Sequence, residues 1–324
     1  VVERTFAWLG RCRRLAKDWE KSIASAEAWL LIAHIRLVTR RIARYCYVTK
    51  SFGSDSYMRR MAEDLGHDVE IADISTDVVT IGLWGPNART TLQKLVEDPG
   101  GLTHEDFPFA SFKQIQIAGK DVTAFRISYV GEQGWELHMR YEYGLAVWDT
   151  LRAEGVMPFG VETYANSRRM EKSLRLQNAD LLTEYNLLEA DLARPKVKDA
   201  DFIGKAAHLE HRARAHQPAM LCTLVMTENK DSKGVSRYPV GILPIMDAQT
   251  GETLVDAQGR RSFTTSIAFG PTIGRNIALG YLPRDHAVKG KSFIVEYFGE
   301  TYPVEVAGVG YEPLYDPENL RPRT

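Results

Sequence analysis

The chain has 324 residues, 44% of them apolar and 26% charged, which suits two or three globular domains. Its formal net charge of −1 gives no whole-chain case for nucleic acid or a membrane surface. Three scattered cysteines, Cys12, Cys46 and Cys222, exclude a disulfide framework and a Cys-rich zinc site. With no secretory signal in view, they point to a soluble protein in a reducing cytoplasm.

The average charge hides a break. Residues 1–50 hold 11 Lys/Arg against 4 Asp/Glu, whereas the remainder holds 30 against 38. Val1 to Arg44 reads as almost continuous helix, with Ser22 or Ser25 as a cap and Ala26, Trp29, Leu30, Ala33, Leu37 and Val38 at helical spacing. Arg36, Arg40, Arg41 and Arg44 gather at its C-terminal end and suit the helix dipole. Its most apolar run, Ala28 to Val38, contains His34 and Arg36 and is about half the length a bilayer requires. Read from its residues alone, the segment is a basic amphipathic helix packed on its own chain, or a contact for nucleic-acid phosphates.

From Tyr47 the texture turns to mixed strands and helices. Tyr57–Leu65 is a short helical pattern; Val78–Trp84 is a strand, broken by Gly85-Pro86-Asn87 before a helix over Ala88–Val96. Strands are expected at Phe112–Ile117 and Val122–Ser128 around the turn Ala118-Gly119-Lys120, and again at Glu136–Met139. Helices follow at Tyr143–Arg152 and Glu162–Glu171, then a polar crossing at Ala179–Tyr185 and a helix from an Asp201 cap to about His216. After Pro218 come strands at Met220–Met226, Thr264–Ala268, Ile277–Leu282, Phe293–Tyr297 and Tyr302–Val306, a pattern for a small antiparallel barrel.

One turn stands out chemically. Gly131 and Gly134 flank a tight bend, Tyr129 and Trp135 offer π-faces, and Glu136 lies on the strand that follows. A carboxylate there can accept two parallel hydrogen bonds from an amino-pyrimidine edge; the plainer reading is a surface Glu and a core Tyr after a hairpin. Arg169 carries a planar guanidinium suited to a carboxylate or ring carbonyl, or is a charge on a helix surface. His208 and His211 share a helix face without partner ligands, so no metal site is expected. No P-loop, dinucleotide turn or catalytic triad is present.

Several strings together carry a family resemblance: Gly82-Leu83-Trp84-Gly85-Pro86-Asn87-Ala88-Arg89, Ser128-Tyr129-Val130-Gly131-Glu132-Gln133-Gly134-Trp135-Glu136-Leu137, Arg168-Arg169-Met170-Glu171-Lys172, Leu187-Leu188-Glu189-Ala190, Asp201-Phe202-Ile203-Gly204-Lys205, Thr264-Thr265-Ser266, Ile277-Ala278-Leu279-Gly280-Tyr281 and Tyr315-Asp316-Pro317-Glu318. Their wording and order resemble the glycine-cleavage T-protein family, in the form found at the C-terminus of sarcosine and dimethylglycine dehydrogenases. The resemblance implies an α+β folate-binding domain over residues 47–217 and a β-barrel over 218–324. It implies a tetrahydrofolate-dependent one-carbon (aminomethyl or methyl) transferase acting on a small-molecule donor, with Tyr129, Glu136 and Arg169 lining the folate pocket and Glu136 on the pterin. Ser173 stands where the family has Gly, and Gln177-Asn178 where aromatic and Gly residues are usual, which leaves the folate-dependent O-demethylase branch open.

Residues 1–46 carry other wording. Val1-Val2-Glu3-Arg4-Thr5-Phe6-Ala7-Trp8-Leu9, Arg11-Cys12-Arg13-Arg14-Leu15 and Trp29-Leu30-Leu31-Ile32-Ala33 resemble the C-terminal end of DDE insertion-sequence transposases, with Glu3 in place of that family's third metal-binding carboxylate. Two-metal chemistry needs further carboxylates that this segment lacks. The expectation is a truncated T-protein-like module behind an unrelated helical segment, with no residue assignable as the family's catalytic Asp. Folate binding would then be weak or lost. A catalytically inactive fusion and nucleic-acid binding through the basic helix are the competing readings.

Overall fold

The computed structural model describes residues 54–64, 66, 70–199, 202 and 204–323. The helix expected over Val1–Arg44 and the Asp201 cap lie outside these residues. Among the described residues, 54–160 with 318–323 make one compact unit and 161–317 another.

The first unit is built on an antiparallel sheet in the order β1 (Val78–Trp84), β4 (Gly134–Arg140), β3 (Lys120–Phe125), β2 (Phe112–Ile117). Helices α1 (Ser54–Asp64), α2 (Ala88–Gln93) and α3 (Gly144–Ala153) belong to the same unit. Side chains alternate between the faces of a strand, and the sequence exploits this. Leu83, Ile117, Val122, Ala124, Trp135, Leu137 and Met139 share one face and form a single core with Ala88 and Leu92 of α2 and Val147 and Leu151 of α3. Full burial of one such Leu stabilises the fold by about 1.5–3 kcal/mol. Thr80, Gly82, Trp84, Thr123, Phe125, Glu136 and His138 therefore occupy the opposite face.

Two expected elements are shorter than their patterns. β3 ends at Phe125, because the Arg126 amide bonds Ser111 O and its side chain turns inward to full burial. Helix α2 stops at Gln93, and Val96 instead bridges Ile117.

In the second unit, α4 spans Glu162–Glu171: Glu162–Arg168 is wound as a π-helix and Arg169–Glu171 as α. Helix α5 is Lys205–Ala213. The six-stranded antiparallel sheet runs β6 (Ile245–Met246), β9 (Ser292–Tyr297), β10 (Glu300–Val309), β5 (Ala219–Met226), β8 (Arg275–Pro283), β7 (Thr264–Gly270). Its edges meet, since Pro244 bridges Phe263 and the Thr264 amide donates to Leu243 O at 2.8 Å. That contact rolls the sheet into the expected barrel. Cys222, Leu224, Phe293, Val295, Val304 and Val306 belong to one apolar core. A second cluster packs Met170, Leu181, Tyr185 and Ala190 against Leu221, Ile277, Leu279 and Tyr281. This second cluster draws residues 161–217 toward the barrel strands, so the compact units part at Gly160/Val161 whereas the sequence division runs at 217/218. Among the described residues, no helix is long and apolar enough to cross a membrane.

Candidate functional site

Three of the first unit's features converge on the sheet face turned away from its core. Gly82 of β1 is the cross-strand partner of Glu136 of β4. A Cβ on Gly82 would lie 2.3 Å from the Trp84 ring, so the indole lies directly over the glycine, alongside the Glu136 position. Trp84 Nε1 donates to Ile127 O at 2.9 Å, which ties that ring to the loop between β3 and β4. The loop is drawn in closely: a Cβ on Gly134 would sit 2.1 Å from Leu83 O, a backbone atom with nowhere to go. Tyr129 is half-buried in this loop. Gly85 N donates to Gln133 O at 2.8 Å, and Arg321 Nη1 reaches both Glu132 oxygens at 3.2 Å.

Glu136 is 28% exposed, and its Oε2 lies 3.2 Å from His138 Nε2. His138 Nδ1 is in turn 3.1 Å from Thr80 Oγ1 on β1, and its ring meets Phe125 edge-on at 4.7 Å. The result is an anionic acceptor on a rigid strand, beside an aromatic face and partly open to solvent. Such a surface fits a flat heterocycle with an edge of N–H donors.

Arg169 belongs to the second unit and is fully buried. Its guanidinium bonds Asp180 Oδ2 at 2.5 Å, Ser266 Oγ at 2.6 Å, Leu174 O at 2.9 Å and Ala165 O. Asp180 completes the cluster by accepting from Thr265 Oγ1 at 2.5 Å, Ser266 Oγ at 2.7 Å and the Leu176 amide at 2.8 Å. The geometry around Arg169 is therefore that of a scaffold group. The α4 π-turn ends where Arg169 begins, and π-turns commonly occur at functional sites.

Sequence reasoning missed Trp84, His138, Arg126 and Asp180. Trp84 and His138 could have been found by counting two residues along each strand from Gly82 and Glu136. Arg126 carried no signal: it is fully buried, bonding Phe107 O at 2.5 Å and His104 Nδ1 at 3.1 Å. Burial, and then the charge of Arg89, push its guanidinium down to about 10. His208 accepts from Arg212 Nε at 2.9 Å, and among the described residues no three His, Cys, Asp or Glu side chains gather as metal ligands would.

Residues 34–197 match the GCVT N-terminal domain, about half of the chain, and residues 237–316 match the glycine cleavage T-protein C-terminal barrel domain. The chain belongs to the glycine cleavage T-protein family. The match begins ahead of Tyr47, so T-protein sequence reaches into the stretch 1–46 set apart by its wording. Human mitochondrial dimethylglycine dehydrogenase is 32% identical over 265 residues, covering 80% of this chain and 28% of that protein. An aminomethyltransferase of Synechocystis is 29% identical over 248 residues, covering 76% of this chain and 61% of that protein. The crystal structure of the glycine cleavage system aminomethyltransferase T from Bartonella henselae superposes with a TM-score of 0.60 at 23% identity, covering 80% of this chain and 65% of that one. That superposition shares the T-protein fold. The T-protein match thus spans less than a third of the dehydrogenase and about three-fifths of the aminomethyltransferase.

Proposed function

We propose that this T-protein family member binds tetrahydrofolate and serves one-carbon transfer from a small amine, with the pterin held at the outer sheet face of the first unit. The observation that carries the reading is Glu136, a partly exposed carboxylate paired with Gly82, over which the Trp84 indole lies. The bound folate would supply a nucleophilic nitrogen to receive the one-carbon unit. Glu136 orients the ring by accepting from its donor edge, Trp84 and Tyr129 supply aromatic walls, and Arg169 holds the second unit's α4 in shape through Asp180. No side chain is assigned to proton transfer or nucleophilic attack. The dehydrogenase and aminomethyltransferase names of the relatives support the amine as donor class. The wording of residues 1–44 supports a separate, transposase-like origin for that segment, against the family match that starts at residue 34; sequencing the adjoining DNA tests it.

Isothermal titration with 5-formyltetrahydrofolate, a stable reduced folate, decides the matter. Micromolar binding to the full chain that is lost in Glu136→Gln supports the proposal. Binding unaffected by that substitution moves the site elsewhere. No binding at millimolar ligand favours a catalytically silent member of the family.

A further inference from the structure

We propose that His138 is a positioning residue that fixes the Glu136 carboxylate, an inference that rests on the folate reading above. His138 follows Glu136 by two positions on β4, so both side chains rise from the same face. Across the sheet, Thr80 and Thr123 are its register partners on β1 and β3. Its ring is held from three sides: Thr80 Oγ1 at 3.1 Å from Nδ1, Glu136 Oε2 at 3.2 Å from Nε2, and Phe125 edge-on at 4.7 Å. Only 18% of the imidazole side chain is exposed.

This arrangement selects a tautomer. A carboxylate accepts only, so Nε2 must carry the proton that bridges to Glu136. Nδ1 of the neutral ring is then an acceptor, which the Thr80 hydroxyl satisfies by donating. The chain of donors runs one way, from Thr80 through His138 to Glu136. Among the described residues no hydrogen bond reaches Glu136 Oε1. With Oε2 anchored by the imidazole, rotation of the carboxylate is restricted, and Oε1 together with the second lone pair of Oε2 remains to accept. Two acceptors at carboxylate spacing suit a heterocycle edge with two adjacent N–H donors. Without the anchor, the carboxylate rotates and that pairing costs ordering entropy at each binding event.

The full chain is titrated with 5-formyltetrahydrofolate as wild type, His138→Ala, His138→Gln, Thr80→Val and Glu136→Gln, each checked for an unchanged melting temperature. His138→Ala should weaken binding about tenfold, the scale of one charge-assisted hydrogen bond. His138→Gln, whose amide places a donor near the Nε2 position, should recover most of the loss, and Thr80→Val should weaken binding by a smaller factor. If Glu136→Gln abolishes binding while His138→Ala leaves it unchanged, His138 has no positioning role and the folate reading stands. A His138→Gln variant as weak as His138→Ala would overturn the donor assignment. If Glu136→Gln or the wild type shows no specific binding effect, the folate reading falls and this inference with it. Independently of ligand, the imidazole 15N shifts should report the Nε2-protonated tautomer, and an Nδ1-protonated ring would refute the proposal.

Discussion

Arg169 and Asp180 form an ion pair with 2.5 Å between Nη1 and Oδ2, and neither side chain touches solvent. Taking one charge away leaves the other buried and uncompensated, which typically costs about 3–5 kcal/mol. Asp180→Asn should therefore destabilise the second unit by that amount, while Arg169→Met combined with Asp180→Asn should lose less than the sum of the two single variants. Residues 161–317 contain no Trp and hold eight of the fourteen Tyr, so near-ultraviolet tyrosine dichroism lost at unchanged Trp fluorescence reports this unit. Additive losses in the double variant would mean that the pair is not energetically coupled.

Ser173 sits in left-handed backbone at φ 56°, and its hydroxyl pairs with Thr223 Oγ1 at 2.8 Å inside the protein. The two effects oppose each other. Ser173→Ala keeps the strained φ and strands the Thr223 hydroxyl, so it should cost about 1–3 kcal/mol. Ser173→Gly loses the same bond but relieves left-handed strain of about 1–2 kcal/mol, so its net cost should be smaller. Urea denaturation of both variants gives the ordering, and Gly falling below Ala would show that φ at this position is not strained.

How much of this could be read from the chain depends on the range of the interaction. Val78–Trp84 matched its strand residue for residue, because alternation is a local signal and both of its faces are decided within seven positions. The barrel strands were legible for the same reason. Ile245–Met246 was not, being two residues long and preceded by Pro244, with its place in the sheet supplied by the distant β9. Asp180 looked like one polar residue in a crossing segment, since Thr265 and Ser266, which complete its shell, are far along the chain. The α4 π-turn resembled an ordinary helix because its apolar spacing is short and ambiguous. Glu136 was singled out through motif wording, yet the ring that covers Gly82 and the imidazole beside the carboxylate needed cross-strand register.

Gly82→Ala tests the site through its wall. The new Cβ would overlap the Trp84 ring, so the indole must swing off the sheet and break its bond to Ile127 O. The expected outcome is at least a tenfold loss of 5-formyltetrahydrofolate affinity with a stability loss of about 1–3 kcal/mol, the usual range for overpacking. Quenching of Trp84 fluorescence by iodide should rise in the same variant, measured in a background with the other five Trp residues replaced by Phe. Unchanged affinity with raised quenching would remove the indole from the binding surface.

Alkaline pH should destabilise the second unit, and the direction follows from three buried acids. Burial pushes the Cys222 thiol up to about 12, and burial pushes the Tyr185 phenol up to about 12 and the Tyr281 phenol further in the same direction. In the unfolded chain these groups release their protons near the ordinary values of about 8.5 for Cys and 10 for Tyr. Between those values and pH 12 the unfolded state therefore binds fewer protons than the folded one, so unfolding free energy falls as pH rises, by up to about 1.4 kcal/mol per pH unit for each group. The stabilisation is complete below about pH 8.5 and is lost on the way to 12. Tyr185 stacks on Tyr281 at 3.6 Å with the Arg260 guanidinium 4.3 Å above its ring. Tyr185→Phe keeps the stack and deletes one titrating group. Urea midpoints measured from pH 8 to 11.5 should decline less steeply in Tyr185→Phe, with the two curves parallel below pH 9. Parallel curves across the whole range would mean that the Tyr185 phenol ionises in the folded protein as readily as in the unfolded chain.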